Sequence, residues 1–420
     1  MTEQIEPEEV ESVLLDQPRL PTTLIENTDS LKSFLLELAK TNEPIALDAE
    51  RASGFKYGQR AYLLQIAIKG TGIYLIDPVS NYDSETWSEF ISAVSSKPWL
   101  IHAASQDLPC LTELNLKPSR ILDTELAARL LGLPRVALGT LTEHYLKLKL
   151  AKEHSAVDWS ERPLPDNWLN YAALDVDVLF ELWDEIEKDL VANLKTEIAS
   201  AEFDYLLIPS TKAPKIDKWR SMTGLHEVKD ERALTVAKHL WEARESLAME
   251  KDIAPGRLVP DASLVAAVKA APKSRSELAS LKTFAGRASR TFIDTWWKAI
   301  EDGNHTKNLV EVRPKLTGIP NHRNWPQKFP DAHARLMAAK ELIANLSEEH
   351  KIPQENIFNP EALRQICFDP PTPLSKETLE ETLRTRMVRQ WQIDFVLEGL
   401  LVALAAKPKE NQTEALDSSS

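Results

Sequence analysis

Two carboxylates stand at the end of an apolar run near the start of the chain. Asp48 and Glu50 follow Ile45, Ala46 and Leu47, and the loop-like pair Ser53-Gly54 comes soon after them. If this run is a strand, the two residues are two positions apart on it, so their side chains leave the same face of the sheet. Burying such a pair is costly unless a cation, a set of donors or solvent compensates it. Because Asp-x-Glu pairs often arise by chance, other residues must decide between a structural and a chemical role.

Three more polar residues can join this pair. Asp107 opens a predicted helix after the apolar strand "PWLIH", where a purely helix-stabilising role explains it equally well. Tyr171 and Asp175 are four positions apart on a later predicted helix, so they lie roughly 40° apart around its axis. Asp177 should face elsewhere. We expect these elements to converge on one edge of one sheet.

Four carboxylates at one sheet edge repel each other strongly unless divalent cations neutralise them. An all-oxygen ligand set without a Cys or His cluster favours Mg²⁺ or Mn²⁺ over zinc. Two such ions about 3.5–4 Å apart can activate water against a phosphodiester and stabilise the leaving oxyanion. With an ordinary pKa of about 10, Tyr171 is expected to orient that water and not to act as a strong base.

The pattern of residues 21–208 predicts an α/β domain that could position these side chains. The runs "PIALDAE", "AYLLQIAI" and "GIYLID" leave no room for crossover helices, which predicts an antiparallel meander. Helices and strands then alternate, and residues 139–150 are predicted to be helical. "PDNWLNYAALDVDVLFELWDEIEKDL" is predicted to be one long helix capped by Asp166. The result is a mixed sheet with an antiparallel edge, flanked by helices.

The segments around this domain differ in composition. Residues 1–20 are predicted to be a loose acidic tail, and residues 209–214 a linker. Beyond them the periodicity is helical, and a stretch starting at Ala237 is repeated faintly from Ala339. This repeat predicts two all-α helical bundles. We place them at 215–303 and 325–405, followed by a disordered tail at 406–420.

The motifs "LDAE", "IHAASQD" and "YAALDVDVL" resemble, in this order, the three exonuclease motifs of the DEDDy branch of the DEDD superfamily. Within that branch the chain is most similar to the bacterial ribonuclease D family, from about residue 23 to residue 405. "DWSERPLPDNWLNYAALDV" is particularly close to that family. "RLVPDASLVAAVKAAPKSRSELASL" resembles the helicase-and-RNase-D C-terminal (HRDC) domain, and the second helical repeat looks like a further domain of this type.

The resemblance implies a ribonuclease H-like exonuclease domain followed by HRDC-type helical domains. It implies a 3′–5′ exoribonuclease that uses two divalent cations, Mg²⁺ or Mn²⁺. Such an enzyme trims the 3′ ends of tRNA and other structured RNA precursors and releases nucleoside 5′-monophosphates. The implied metal ligands are Asp48, Glu50, Asp107 and Asp175, and the implied water-orienting residue is Tyr171. The chain departs from the family at Ala52 and Ser53-Gly54, where other members often carry bulkier residues.

Substrate contacts are less sharply indicated. Gln65 and His102 border the expected site and could contact substrate or be satisfied structural groups. Residues 212–303 carry a net charge of +4, whereas residues 1–211 carry −17. Within the positive segment, Lys282 and Arg287 belong to a basic cluster that could bind RNA or be an ordinary solvated surface. Trp296 and Trp297 could stack on bases, but core positions explain them better.

Composition bounds the remaining possibilities. The chain of 420 residues has two cysteines, which fits a reducing, cytoplasmic compartment. No apolar run approaches the ~20 residues of a membrane span, and we expect a monomer with no membrane association. The absence of a G-x-x-x-x-G-K-[ST] sequence excludes a P-loop NTPase. Two alternatives stay open: a DNA 3′–5′ exonuclease, and a non-catalytic nucleic-acid-binding adaptor.

Overall fold

The computed structural model describes residues 12–151, 157–209, 217–313 and 318–408. All described strands lie in the first half of the chain: β1 (Val13–Leu15), β2 (Thr22–Ile25), β3 (Ile45–Arg51), β4 (Ala61–Ile68), β5 (Gly72–Ile76), β6 (Pro98–Ile101), β7 (Arg120–Asp123) and β8 (Leu148–Leu150). The helices of this half are α1 (Thr28–Leu38), α2 (Ser84–Ser95), α3 (Ala104–Glu113), α4 (Thr124–Leu130), α5 (Leu138–Leu146), α6 (Asp166–Asp177), α7 (Leu179–Ala192) and α8 (Thr196–Leu206).

Six strands form one mixed sheet in the order β2-β5-β4-β3-β6-β7. The predicted meander β3-β4-β5 is antiparallel, and the pairs β2/β5, β3/β6 and β6/β7 are parallel. Every residue of β4 is buried, because its nearly continuous apolar sequence is covered on both faces. The predicted antiparallel edge is wrong. The antiparallel strand β4 lies inside the sheet, since the short strand β2 adds to β5 and forms the outer edge.

A second, two-stranded sheet corrects two predictions. The predicted helix at 139–150 ends at Leu146, because Lys147 adopts a left-handed conformation (φ 55°). The chain then forms β8, which pairs in parallel with β1. Residues 13–15 are therefore a strand, and the prediction of a loose tail is wrong for them; residues 1–11 lie outside the described residues. Arg19 also fixes this segment, because its Nε lies 2.8 Å from Asp177 Oδ2.

The predicted long helix is two helices. α6 ends at Asp177 and α7 begins at Leu179, with Val178 between them. Pro165, and not Asp166, occupies the N-cap position, and no side chain caps α6 there. Asp166 instead lies in the first turn, where its charge complements the helix dipole. Asp177 faces away from Asp175 as predicted, since Arg19 binds it.

The second half of the described chain contains helices only. The first group consists of α9 (Glu231–Lys251), α10 (Pro255–Leu258), α11 (Asp261–Ala270), α12 (Arg275–Ser280), α13 (Arg287–Thr291) and α14 (Ile293–His305). The second group consists of α15 (Trp325–Lys328), α16 (Pro330–His350), α17 (Gln354–Ile357), α18 (Pro360–Phe368), α19 (Lys376–Thr385) and α20 (Gln390–Leu404). Short 3₁₀ helices accompany them at Lys218–Ser221, Leu225–Glu227, Lys282–Phe284 and His322–Asn324.

The internal repeat is visible in these two groups. Each begins its main body with a helix of 21 residues, α9 or α16, followed by a four-residue helix and then by a helix that starts beside a proline. The long helix of each group packs against its last helix, α14 or α20. The exact domain limits stay predictions. Of the predicted linker, only residue 209 is described, and residues 409–420 of the predicted tail lie outside the described residues.

The two helical groups relate differently to the sheet domain. The first group has a hydrophobic core of its own. The core of the second group is continuous with that of the sheet domain. At this junction Arg389 Nε lies 2.5 Å from Glu202 Oε1 in α8, and Trp391 Nε1 donates to the same carboxylate at 2.8 Å. The second group therefore packs directly against the sheet domain. Within the described ranges, no helix is long and apolar enough to cross a bilayer.

Candidate active site

The structure brings the five residues predicted from the sequence together at the C-terminal end of β3, a strand inside the sheet. Carboxylate oxygens of Asp48, Glu50 and Asp175 all lie within 4.8 Å of one another. The carboxyl group of Asp107 shares a hydrogen bond with that of Asp48. The Tyr171 hydroxyl hydrogen-bonds to the Asp175 carboxylate. Strand β3 and helices α3 and α6 thus supply one continuous polar cluster.

A buried aspartate, Asp123, fixes the helix that carries Asp107. Asp123 ends β7 and is 2% exposed. Its carboxylate accepts hydrogen bonds of 2.9–3.1 Å from four backbone N–H groups at the starts of α3 and α4, those of Ala103, Ala104, Glu125 and Leu126. These donors have no partners within their own helices, so one side chain orients both helix starts.

An arginine in the loop before α6 positions the helix that carries Tyr171 and Asp175. Arg162 binds both carboxylate oxygens of Asp77 at the end of β5, at 2.6 and 2.8 Å. It also donates to the carbonyl oxygens of Trp159, Glu161 and Tyr62 at 2.6–2.8 Å. A planar guanidinium with this many partners is a rigid connection. The loop is thereby tied to the sheet just before α6 begins.

Burial raises the pKa values of all four carboxyl groups, and repulsion between them adds to the rise. The pKa of Glu50 is raised to about 9, mainly by burial and in addition by repulsion from Asp48 and Asp175. Burial, followed by repulsion from Asp48, raises the pKa of Asp107 to about 8. Burial is also the main cause that raises the pKa of Asp48 and of Asp175. Divalent cations would replace the protons that this cluster otherwise retains. The all-oxygen donor set fits such ions.

Tyr171 is held in its neutral form. Burial, together with the charges of Asp175, Glu50 and Asp48, raises its pKa above the ordinary value. A phenol that stays protonated can donate a hydrogen bond but cannot accept a proton as a base near neutral pH. This agrees with the expectation that it orients a water molecule.

The structure distinguishes the two residues that were expected to border the cluster. Gln65 lies opposite Asp48 in the β3/β4 pair and is 0% exposed. Neither of its amide atoms has a hydrogen-bond partner among the described residues, so it is not the satisfied structural group that we considered. His102 is satisfied, because its Nδ1 lies 2.9 Å from Thr124 Oγ1. Burial lowers the pKa of His102 to about 4, so it is neutral at pH 7.

The basic cluster of the first helical group lies on its surface. Lys282 and Arg287 are exposed. Two other basic residues of this helical group form ion pairs, Lys269 with Glu227 and Arg275 with Asp294, which reduces the positive charge available to a ligand. RNA binding by Lys282 and Arg287 stays a prediction.

The two adjacent tryptophans occupy different environments. Trp296 is fully buried, and its indole N–H donates to the Ser289 carbonyl at 3.0 Å. It is therefore a core residue, as expected. Trp297 is half-buried and lines a cleft of about 480 Å³ between α9, α11 and α14.

The loop that follows β3 lies against the first helical group. The Ala254 N–H donates to the Phe55 carbonyl at 2.8 Å, and Arg257 Nε donates to the Gly54 carbonyl at 2.7 Å. The Arg257 guanidinium also lies 3.7 Å from the centre of the Phe55 ring. The loop that contains Ser53 and Gly54 is therefore shaped by contacts with this helical group.

Sequence reasoning missed Arg51, Asp123 and Arg162. Arg51 Nη2 lies 3.3 Å from Asp107 Oδ1, inside the carboxylate cluster. Asp123 had a recognisable signal, since it stands between a strand and a helix in "RILDT". For Arg51 and Arg162, the partners are distant in sequence and no local pattern reveals them.

Comparison with known proteins agrees with this geometry. Residues 22–191 match the model of a 3′–5′ exonuclease domain, residues 233–300 the HRDC domain, and residues 318–404 a 3′ to 5′ exonuclease C-terminal domain. Ribonuclease D of Jannaschia sp. is 30% identical over 71% of this chain and 75% of its own length.

Two solved structures share the architecture over most of the chain. A protein from Bifidobacterium adolescentis, 33% identical, covers 94% of this chain and 100% of its own with a TM-score of 0.82. Escherichia coli RNase D, 24% identical, covers 93% and 100% with a TM-score of 0.66, and it shows the same fold. Together with the acidic cluster, which is of the kind that binds divalent metal, these matches show that the chain belongs to the ribonuclease D family of 3′–5′ exoribonucleases.

Proposed function

We propose that this protein trims the 3′ ends of tRNA precursors and other structured RNAs and releases nucleoside 5′-monophosphates. The observation that carries the proposal is the convergence of Asp48, Glu50 and Asp175 within 4.8 Å, with Asp107 and Tyr171 hydrogen-bonded to this group. The E. coli relative, described as an exoribonuclease involved in structured RNA processing, supports the choice of substrate.

We propose that two divalent ions, Mg²⁺ or Mn²⁺, bind here. Asp48, Glu50 and Asp175 would hold one ion, and Asp48 with Asp107 would hold the other. Bound ions of this type activate a water molecule and stabilise charge on the leaving oxygen of a phosphodiester.

The remaining steps belong to residues of the chain. Tyr171, which is neutral and hydrogen-bonded to Asp175, would orient the attacking water by donating or accepting a hydrogen bond. Asp123 and Arg162 would keep α3 and α6 in place, so that the carboxylates are ordered before the substrate arrives. Their role is to position other residues.

The helical groups offer a route for the RNA body. The sheet domain is strongly acidic, so the backbone needs positive charge outside the catalytic cluster. Lys282 and Arg287 are exposed in the first helical group, whose α10 contacts the loop after β3. We propose that the RNA body lies along this group while its 3′ end enters the carboxylate cluster.

A cleavage assay tests the substrate. A tRNA-like RNA with a 3′ tail, labelled at its 5′ end, is incubated with Mg²⁺, with Mn²⁺ or with chelator, beside a DNA of matched sequence. Stepwise shortening of the RNA that needs a divalent ion and releases nucleoside 5′-monophosphates supports the proposal. Equal or faster shortening of the DNA favours a DNA exonuclease. Binding of both polymers without cleavage favours an adaptor.

We further propose that the protein acts as a monomer in the cytoplasm. Both cysteines, Cys110 and Cys367, are buried free thiols, which suits a reducing compartment. Sedimentation at micromolar concentration tests the monomer, and cell fractionation tests the location.

A further inference from the structure

One cation of the chain lies within the carboxylate cluster. Arg51 directly follows the metal-ligand candidate Glu50 and is half-buried, with 28% of its side chain exposed. Its Nη2 is 3.3 Å from Asp107 Oδ1. Its charge acts on Asp48, Glu50 and Asp107 alike. Arg51 therefore neutralises part of the charge that divalent ions would neutralise.

A strand irregularity accompanies this placement. In a regular strand, Asp48 and Glu50 leave one face and Arg51 leaves the other. Between Glu50 and Arg51 the pairing with β4 shifts, so that Glu50 faces Leu63 and Arg51 faces Ala61. A bulge of this kind bends the strand, raises the local twist and redirects side chains. Arg51 can then reach Asp107 on α3.

The contact makes the two proposed ion positions unequal. The carboxyl group of Asp107 is shared between a hydrogen bond with Asp48 and the ion pair with Arg51. A divalent ion between Asp48 and Asp107 must displace the guanidinium or sit beside it, and both carry an electrostatic cost. Asp107 is not one of the three carboxylates that lie within 4.8 Å of one another, so its ion pair with Arg51 affects the other proposed position directly.

We propose that Arg51 competes with the second divalent ion for Asp107, so that this ion binds more weakly until an RNA phosphate attracts the guanidinium. This inference rests on the proposed function, since it takes the carboxylates as the metal site. Phosphate is a strong partner for a guanidinium and offers paired acceptor oxygens. Substrate and second ion would therefore bind cooperatively, and each would raise the affinity of the other.

Calorimetric titration with Mn²⁺ tests the inference without measuring catalysis. Wild-type protein should bind one ion tightly and a second ion weakly. In Arg51→Met the second ion should bind about tenfold or more tightly, because one positive charge near it is gone. Adenosine 5′-monophosphate should raise the affinity for the second ion in the wild type, and it should raise it much less in Arg51→Met. Arg51→Lys, which keeps the charge, should stay closer to the wild type.

The matched control is Arg60→Met, in the same loop region. The Arg60 guanidinium lies 4.7 Å from the centre of the Tyr62 ring, and its loss should leave both Mn²⁺ affinities unchanged. If Arg51→Met binds the second Mn²⁺ ion with unchanged or lower affinity, the inference is overturned and the proposed function stays intact. Absence of any Mn²⁺ binding in the wild type instead overturns the metal site itself.

A stability measurement covers the case in which the variant folds poorly. Without Arg51 the carboxylates lose their internal counter-ion, so the melting temperature should fall more in EDTA than in saturating Mn²⁺. Purification in Mn²⁺ should recover folded Arg51→Met. Mn²⁺ should raise the melting temperature of Arg51→Met more than that of the wild type. An equal or smaller rise in the variant contradicts the competition.

Discussion

Replacement of Arg162 by alanine should destabilise the sheet domain more than an ordinary loop substitution does. The guanidinium binds Asp77, whose side chain is only 4% exposed, and three carbonyl oxygens. After its removal, Asp77 keeps the hydrogen bond from the Val79 N–H at 2.8 Å but loses its counter-ion. Breaking a buried ion pair on one side costs about 3–5 kcal/mol. For a domain of this size, that loss lowers the melting temperature by roughly 6–20 °C.

Thermal unfolding in saturating Mg²⁺ measures this effect, and a double-mutant cycle identifies its cause. Because most of the cost comes from an unpaired buried carboxylate, Arg162→Ala/Asp77→Ala should be more stable than Arg162→Ala alone by about 1 kcal/mol or more. Arg162→Lys should fall between wild type and alanine, since an ammonium cannot reach all of these acceptors. Exonuclease kcat should fall with stability, because α6 carries Tyr171 and Asp175.

An exposed ion pair provides the control. Lys69 lies 3.2 Å from Asp184, and both side chains are about half exposed, so Lys69→Ala should cost about 0–1 kcal/mol. If Arg162→Ala costs no more than Lys69→Ala, or if the double variant is less stable than Arg162→Ala, the assigned role of Arg162 is refuted.

Three further predictions concern the carboxylate cluster and its neighbours. Tyr171→Phe should lower kcat about 10²-fold with little change in KM or Mn²⁺ affinity, measured on a 3′-tailed RNA; an unchanged kcat contradicts its role in orienting water. In EDTA, the raised pKa values of Glu50 (about 9) and Asp107 (about 8) mean that the folded state binds more protons than the unfolded state above about pH 5. The melting temperature should therefore be highest at low pH in this window and fall from about pH 5 to pH 9, whereas saturating Mg²⁺ should remove most of that fall; a melting temperature that rises with pH in EDTA contradicts the cluster's charge balance. Gln65→Leu removes a buried amide without hydrogen-bond partners in the described residues and should raise the free energy of unfolding by about 1 kcal/mol, measured by denaturant titration; a loss above that size would mean that Gln65 has a structural partner.

Local sequence patterns predicted the elements that carry the site. The apolar runs of β3, β4 and β5 fixed their identity and their antiparallel order, because adjacent strands without crossover segments must form hairpins. The four-position spacing of Tyr171 and Asp175 placed both on one face of α6, and they are hydrogen-bonded there. These features depend on neighbours in sequence, so the sequence alone indicates them.

Features that depend on distant partners were not predictable in this way. β1 and β8 have three residues each and are strands only because they pair with one another across more than 130 residues. The position of Pro165 depends on the loop that Arg162 anchors before α6. At the break after α6, the distant Arg19 donates to the Asp177 carbonyl at 3.1 Å. Arg51 reaches Asp107 beside a bulge that no residue pattern announces. The shared core of the second helical group follows from packing and not from composition.

We propose that the cluster around Asp48 binds divalent ions and that cleavage of RNA from its 3′ end depends on them. The most direct measurement combines Mn²⁺ binding and single-turnover cleavage of a 3′-tailed RNA for wild type, Asp48→Asn and the surface control Asp184→Asn. We expect Mn²⁺ binding and 3′ shortening in the wild type and in Asp184→Asn, and the loss of both in folded Asp48→Asn. Undiminished cleavage by Asp48→Asn, or cleavage by the wild type in excess chelator, would contradict the account.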